Sequence, residues 1–107
     1  MASAYKNAKI DLTGTGITTL YTCPSVTTAI VTSILVSEDS GNADTITVTL
    51  TNSAAAVFSL FKVKAVSANA TIELLTRPLV VEESEILNVT AATGGRLHVV
   101  ASLLELS

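Results

Sequence analysis

Residues 45–51 alternate strictly between polar and apolar side chains. The segment reads Thr-Ile-Thr-Val-Thr-Leu-Thr, so Ile46, Val48 and Leu50 fall on one side of an extended chain and four threonines fall on the other. This period of two is typical of a strand with one buried face, and it does not fit the 3.6-residue period of a helix. The segment therefore predicts a half-buried β-strand.

Seven other segments have a similar β-rich character, and turn-forming residues such as Gly14, Pro24, Gly41 and Gly94 lie between them. They are Tyr5–Leu12, Ile17–Cys23, Thr28–Ser37, Val57–Val66, Thr71–Leu75, Ile86–Thr90 and Arg96–Leu106. About eight short strands predict an all-β fold, a single antiparallel β-sandwich over residues 1–107 that is jelly-roll-like. An immunoglobulin-like Greek key is equally compatible with this spacing. Residues 1–12 are expected to form an N-terminal arm or an edge strand.

The segment Ser53–Phe61 has two interpretations. Ser53 could cap a short helix whose inner side carries Val57, Leu60 and Phe61. Alternatively, a strand begins at Val57, and the alternation of residues 62–66 favours this second interpretation.

The composition argues against several classes of partner. Charged residues make up 14% of the chain and the net charge is −3, with the six basic residues dispersed, so we expect no nucleic-acid partner. The longest uncharged run, residues 12–37, contains eight threonines and Pro24, which favour strands over a membrane helix. One cysteine is too few for a disulfide framework or a cysteine-rich zinc site within one chain. We expect neither a membrane partner nor a cofactor.

Cys23 and His98 are the only conventional nucleophile and base. Both fall within or at the end of predicted strands, where a buried thiol and a locally hydrogen-bonded imidazole are the ordinary roles. We therefore expect no enzyme activity. The loop Glu38–Asp44 is acidic, and a weak structural calcium site there is an alternative to a plain hairpin loop in which Gly41 adopts a positive φ.

Two predicted strands carry apolar residues on both faces, which is unusual for antiparallel strands covered on one side only. Either loops cover the second face, or it packs against another chain, and we favour the second interpretation. The residues expected at such an oligomer or partner interface are Val31, Leu35, Val100, Leu104 and Leu106.

The segment order resembles that of small virion proteins of tailed bacteriophages. Residues 20–36, Leu-Tyr-Thr-Cys-Pro-Ser-Val-Thr-Thr-Ala-Ile-Val-Thr-Ser-Ile-Leu-Val, look like a block in which a Tyr-Thr-x-Pro turn leads into Thr-Ala-x-Val-x-Ser-Ile-x-Val. Residues 77–89 are similar to the bend Pro-Leu-Val-Leu-x-x-Gly-Asp-x-Leu-x-Val of the same proteins, except that Ser84 and Glu85 replace Gly-Asp. The resemblance covers most of the chain from Leu20 onward.

This resemblance implies a β-sandwich component of a phage virion and carries over no catalytic residue and no cofactor. The function expected first is a capsid decoration, or cement, protein that binds and stabilises the shell. The alternatives are a tail or head–tail component (an adaptor, ring or fibre-attachment protein) and, from another class, a carbohydrate-binding β-sandwich module. The expected partners are further copies of the chain, as a trimer or ring, and virion proteins such as the major capsid protein.

Overall fold

The computed structural model describes residues 2–107, which form nine β-strands and no helix, hence no helix that could cross a membrane. The strands are β1 (Ser3–Leu12), β2 (Thr18–Thr22), β3 (Thr28–Glu38), β4 (Asp44–Thr51), β5 (Val57–Val66), β6 (Thr71–Glu73), β7 (Leu79–Val81), β8 (Ile86–Ala91) and β9 (Leu97–Leu106). The all-β prediction is confirmed. Strand β7 is not among the eight predicted strands, because its three residues are too few to display a periodicity.

The strands form two antiparallel sheets that pack as a sandwich. One sheet has five strands in the order β1-β9-β3, with β6 and β7 both paired to the far side of β3. The other has four strands in the order β2-β8-β4-β5. Strand β1 is an edge strand of the five-stranded sheet. It pairs with β9 along its whole length, from Ser3 opposite Leu106 to Leu12 opposite Leu97.

The core lies between the sheets and consists almost entirely of aliphatic side chains. Strand β4 contributes Ile46 and Val48, both fully buried, as the alternation of that segment predicts. Alternate residues of the other strands in both sheets complete it, and the largest of them are Leu12, Ile34, Leu87, Leu97, Val31, Val36, Val66, Val81, Val89 and Val99. Burial of these side chains is the main stabilising contribution to the fold.

A β-bulge in β3 corrects the predicted position of Val31. Val31 pairs with Leu103 while Ser33 pairs with Ser102, so Thr32 is an extra residue on one side of the ladder. The extra residue shifts the alternation of the strand by one position. The sequence predicts Val31 on the outer face with Leu35, and this prediction is wrong, because the shifted alternation buries Val31 fully in the core.

Strand β5 begins at Val57, which confirms the strand interpretation of this segment over the helical one. The side chain of Asn52 accepts hydrogen bonds from the backbone N–H of Ala54 at 3.0 Å and of Ala56 at 2.9 Å. These bonds give two backbone N–H groups of the turn before β5 a hydrogen-bond acceptor.

Two loops meet at one end of the sandwich through a glycine contact. Gly94 lies against the backbone carbonyl of Thr13 so closely that a Cβ on Gly94 would overlap its oxygen. The next residue, Gly95, has a φ of +78° and donates its N–H to the Leu12 carbonyl at 2.8 Å. The β8–β9 turn is thereby fixed against the end of β1.

Candidate interaction surface

The outer face of the five-stranded sheet carries exposed apolar side chains and is the candidate functional site. We call it the apolar face, and its apolar members are Tyr5, Ile30, Leu35, Val80, Val100, Leu104 and Leu106. They come from β1, β3, β7 and β9, so the surface exists only once the sheet has assembled.

The first feature of the apolar face is a row of four apolar residues that runs across the sheet. Tyr5 lies opposite Leu104, Leu104 opposite Ile30, and Ile30 opposite Val80. Tyr5 is 87% exposed and Val80 is 52% exposed, whereas the two central members are half-buried. We call this set the apolar row.

The second feature is a parallel row with charges at its two ends. Lys9 lies opposite Val100, Val100 opposite Leu35, and Leu35 opposite Glu73. Val100 and Leu35 are 37% and 40% exposed, a large fraction for aliphatic residues on strands other than the edge strand. We call this set the mixed row.

Small polar residues separate the two rows. Asn7 lies opposite Ser102, and Ser102 lies opposite Ser33 beside the bulge. The hydroxyl of Thr32 donates to the Ser102 carbonyl at 3.2 Å, so the extra residue of the bulge is fixed to the neighbouring strand. The apolar face is thus two bands with a polar groove between them.

The carboxylate of Glu73 is held in place on the apolar face. It accepts hydrogen bonds from the Ser33 hydroxyl, from the Ile34 N–H at 2.8 Å and from the Leu75 N–H at 3.1 Å. Burial opposes its ionisation, but these donors outweigh burial and lower the pKa of Glu73 below its ordinary value. The far end of the mixed row therefore carries a fixed negative charge at neutral pH.

The structure places four of the five predicted interface residues on the apolar face. Leu35 and Val100 are exposed there, and Leu104 and Leu106 are half-buried. Val31 is the exception, because the bulge turns it into the core. Ile30 belongs to the face for the same reason, and Tyr5 and Val80 were not predicted, since sequence alone does not show which strands are neighbours.

Cys23 and His98 do not form a hydrogen-bonded pair in the described part of the chain. The Cys23 thiol is buried and donates to the Thr27 carbonyl at 3.3 Å, and burial raises its pKa. The imidazole of His98 lies between two aspartates, 3.2 Å from Asp11 and 3.4 Å from Asp39. A thiol held protonated in the core is a poor nucleophile.

The carboxylates of the loop Glu38–Asp44 point to three different places. Glu38 is 2% exposed and accepts hydrogen bonds from the N–H groups of Ser40, Gly41 and Asn42 and, from a distant loop, of Asn69. Asp39 contacts His98, and Asp44 accepts from the N–H of Thr93 at 3.1 Å. Within residues 2–107, no three His, Cys, Asp or Glu side chains are grouped to hold a metal ion.

No protein-family model matches this sequence, and no curated protein matches it. The fold, in contrast, has counterparts among solved structures. One is a chain of the Bacillus endospore appendages, described as a novel family of disulfide-linked pili, with a TM-score of 0.59 and 8% identity. That match covers 98% of this chain and 88% of the other.

A second counterpart is a chain of infectious bursal disease virus, Gx strain, with a TM-score of 0.51 and 11% identity. The match covers 96% of this chain and 32% of the viral chain, so this protein spans about a third of the length of that one. At these identities the likeness concerns the fold alone: the same type of sandwich occurs in structural proteins of a spore appendage and of a virus.

Proposed function

We propose that this protein is a non-enzymatic structural component of a bacteriophage virion, most concretely a capsid decoration protein that stabilises the shell through protein–protein contacts. The observation that carries the proposal is the apolar face. Monomeric soluble proteins rarely expose large apolar patches, and bands of exposed apolar residues with a polar surround usually mark interaction sites.

The position of the apolar face supports an interaction rather than an incidental exposure. Val100 and Leu35 lie on β9 and β3, which have neighbouring strands on both sides. Apolar residues on such strands are covered in most sandwiches, either by the second sheet or by another layer. Here the second sheet covers the opposite face, so a partner is the remaining means of covering this one.

The contacts that we propose are noncovalent. Covalent linkage of the kind named for the endospore appendages requires accessible thiols, and Cys23, the single cysteine of this sequence, is 1% exposed. A symmetric particle presents the same patch many times, so each contact can be modest while the assembly is stable. The partners we propose are further copies of this chain and virion proteins such as the major capsid protein.

The copy number per purified virion tests this proposal, measured by quantitative mass spectrometry against the major capsid protein. Decoration of the shell predicts copies in the hundreds, in a fixed ratio to the capsid protein. A count of about six to thirty, the range of rings and tail assemblies, would move the protein to the tail or neck. Absence from the virion would overturn the structural proposal and place carbohydrate binding first.

Two variants connect that measurement to the apolar face. Val100→Asp puts a charge in the centre of the face and is expected to lower incorporation into particles at least tenfold. Val57→Asp is the matched control, because Val57 is 62% exposed on β5 of the other sheet. Equal incorporation of both variants would show that the apolar face has no part in assembly.

A further inference from the structure

We propose that the apolar face packs against the same face of a second copy of this chain, about a two-fold axis parallel to the strands. The inference rests on the proposed function for the premise that this face is an interface. Its test uses the isolated protein, whereas the proposed function is tested on virions, so the two can fail separately.

The mixed row carries one charge of each sign, at opposite ends. Lys9 lies at one end of the row on β1, and Glu73 lies at the other end on β6. Within residues 2–107 neither has an ion-pair partner, and the Lys9 ammonium group donates only to the Asn7 side chain, at 3.2 Å. One positive and one negative charge thus flank two apolar residues, and neither charge is neutralised by an ion pair within the described part of the subunit.

A two-fold axis parallel to the strands, between β9 and β3, turns each row end for end and places it opposite itself. Lys9 then faces Glu73 of the partner subunit, and Glu73 faces Lys9 of the partner subunit. Between these pairs, Val100 faces Leu35 of the partner subunit. Both charges and both apolar residues of the row obtain a matching contact from one operation.

The same operation also satisfies the apolar row. Tyr5 comes opposite Val80 of the partner subunit, and Leu104 comes opposite Ile30 of the partner subunit. The polar groove meets its own copy, with Ser102 near the axis, and no like charges are brought together. The apolar row is therefore compatible with the axis that the charges of the mixed row select.

An axis across the strands does not give this match. Placed on the polar groove, it lays the mixed row over the apolar row, which sets Glu73 against Val80 of the partner subunit. Placed on the mixed row, it sets Lys9 against Lys9 of the partner subunit. A charge buried against an apolar group or a like charge is costly, so the charges select the parallel axis.

The size of the face sets the expected strength of the dimer. Four strand positions about 4.8 Å apart and strands of about ten residues with a rise of about 3.3 Å give roughly 600 Å² per copy. The total of roughly 1,200 Å² lies at the lower end of specific interfaces, so we expect a dimer that forms at micromolar concentrations. Sheets packed face to face in this way lie about 10 Å apart with their strands nearly aligned.

Sedimentation velocity over about 1 to 500 µM protein tests the proposal, since this range brackets a micromolar dissociation constant. The unmodified chain is expected to pass from monomer to dimer. In Lys9→Glu, the new carboxylate faces Glu73 of the partner subunit, so dimerisation should weaken at least tenfold. The matched control is Lys62→Glu, the same charge reversal at an exposed position on β5, which should dimerise normally.

The double variant Lys9→Glu with Glu73→Lys restores opposite charges and should recover the dimer. Glu73 also holds the backbone beside the bulge, so folding of this variant is checked by circular dichroism. The single variant Lys9→Glu leaves every hydrogen bond of Glu73 in place, so it tests the charge pair even where the double variant fails to fold. A chain that stays monomeric, that forms a trimer or ring, or whose association Lys9→Glu leaves unchanged would overturn the proposal.

Discussion

The hydroxyl of Tyr21 donates a 2.5 Å hydrogen bond to the carboxylate of Glu105 and so joins the two sheets. The same carboxylate is 2.9 Å from the Lys6 ammonium group. Burial and the bond to Glu105 raise the pKa of Tyr21, while Tyr21 and Lys6 lower the pKa of Glu105. A neutral phenol and an ionised carboxylate are therefore the stable pair at neutral pH.

Removing the Tyr21 hydroxyl should destabilise the fold. Tyr21→Phe keeps the ring but leaves a partly buried carboxylate with one donor fewer, which is expected to lower the free energy of unfolding by about 1–2 kcal/mol. Urea denaturation measures this change. Tyr5→Phe is the control, because Tyr5 is 87% exposed, and it should change the stability by less than about 0.5 kcal/mol.

Acid should weaken the fold through Glu38. Burial alone would raise the pKa of Glu38, but hydrogen bonds from Ser40, Asn69 and Gly41 lower it from the ordinary 4.5 to about 2. A depressed pKa in the folded state means that the stabilisation is present above pH 4.5 and is lost as the pH falls toward 2. Thermal unfolding of the unmodified chain between pH 7 and 2 should show this loss.

Glu38→Gln identifies the group responsible for that loss. The amide cannot ionise, so the variant should be less stable than the unmodified chain at pH 7 and should lose less stability between pH 4.5 and 2. Glu82→Gln, an exposed carboxylate in another loop, should leave the acid profile unchanged. A Glu38→Gln profile parallel to that of the unmodified chain would exclude this role.

Two side-chain truncations on β3, at positions four residues apart, test the bulge at Thr32. Val31→Ala removes two buried methyl groups and should cost about 2 kcal/mol of stability. Leu35→Ala removes a side chain that is 40% exposed and should cost about 1 kcal/mol or less, even though more atoms are lost. Chemical denaturation of both variants measures the difference, and a larger cost for Leu35→Ala would contradict the bulged register.

Gly94 should tolerate no side chain. In Gly94→Ala the Cβ would overlap the Thr13 carbonyl, so one of the two loops must move, at an expected cost of about 2 kcal/mol. A Cβ on Gly14, in the opposing loop, meets no atom within 4 Å. Gly14→Ala is therefore the control, and differential scanning calorimetry should show a clearly lower Tm for Gly94→Ala only.

Periodicity predicts eight of the nine strands, but not the inward or outward direction of every side chain. Strand β9 alternates without interruption, so its outward residues Val100, Leu104 and Leu106 follow from the sequence. In β3 the same reasoning assigns Val31 to the wrong face, because the bulge at Thr32 depends on hydrogen bonds to the neighbouring strand. Thr32 has no feature in the sequence that distinguishes it from the other threonines.

The contacts that define the candidate site depend on strand order. Lys9 and Glu73 belong to one row only because β9 and β3 lie between β1 and β6. The polar contacts are equally nonlocal: Tyr21 and Glu105 are 84 positions apart, and Glu38 and Asn69 are 31 positions apart. Local pattern contains no information about such pairs.

The pairing of β1 with β9 also determines when the molecule can fold. Within residues 2–107, the segment 3–12 pairs with residues 97–106 and with no other strand, and β3 needs the same segment on one side. A nascent chain that ends before residue 97 therefore cannot close the larger sheet. Until β9 emerges, the backbone edges of β1 and β3 that face it stay unpaired, so folding of the larger sheet waits for β9 and should be slow.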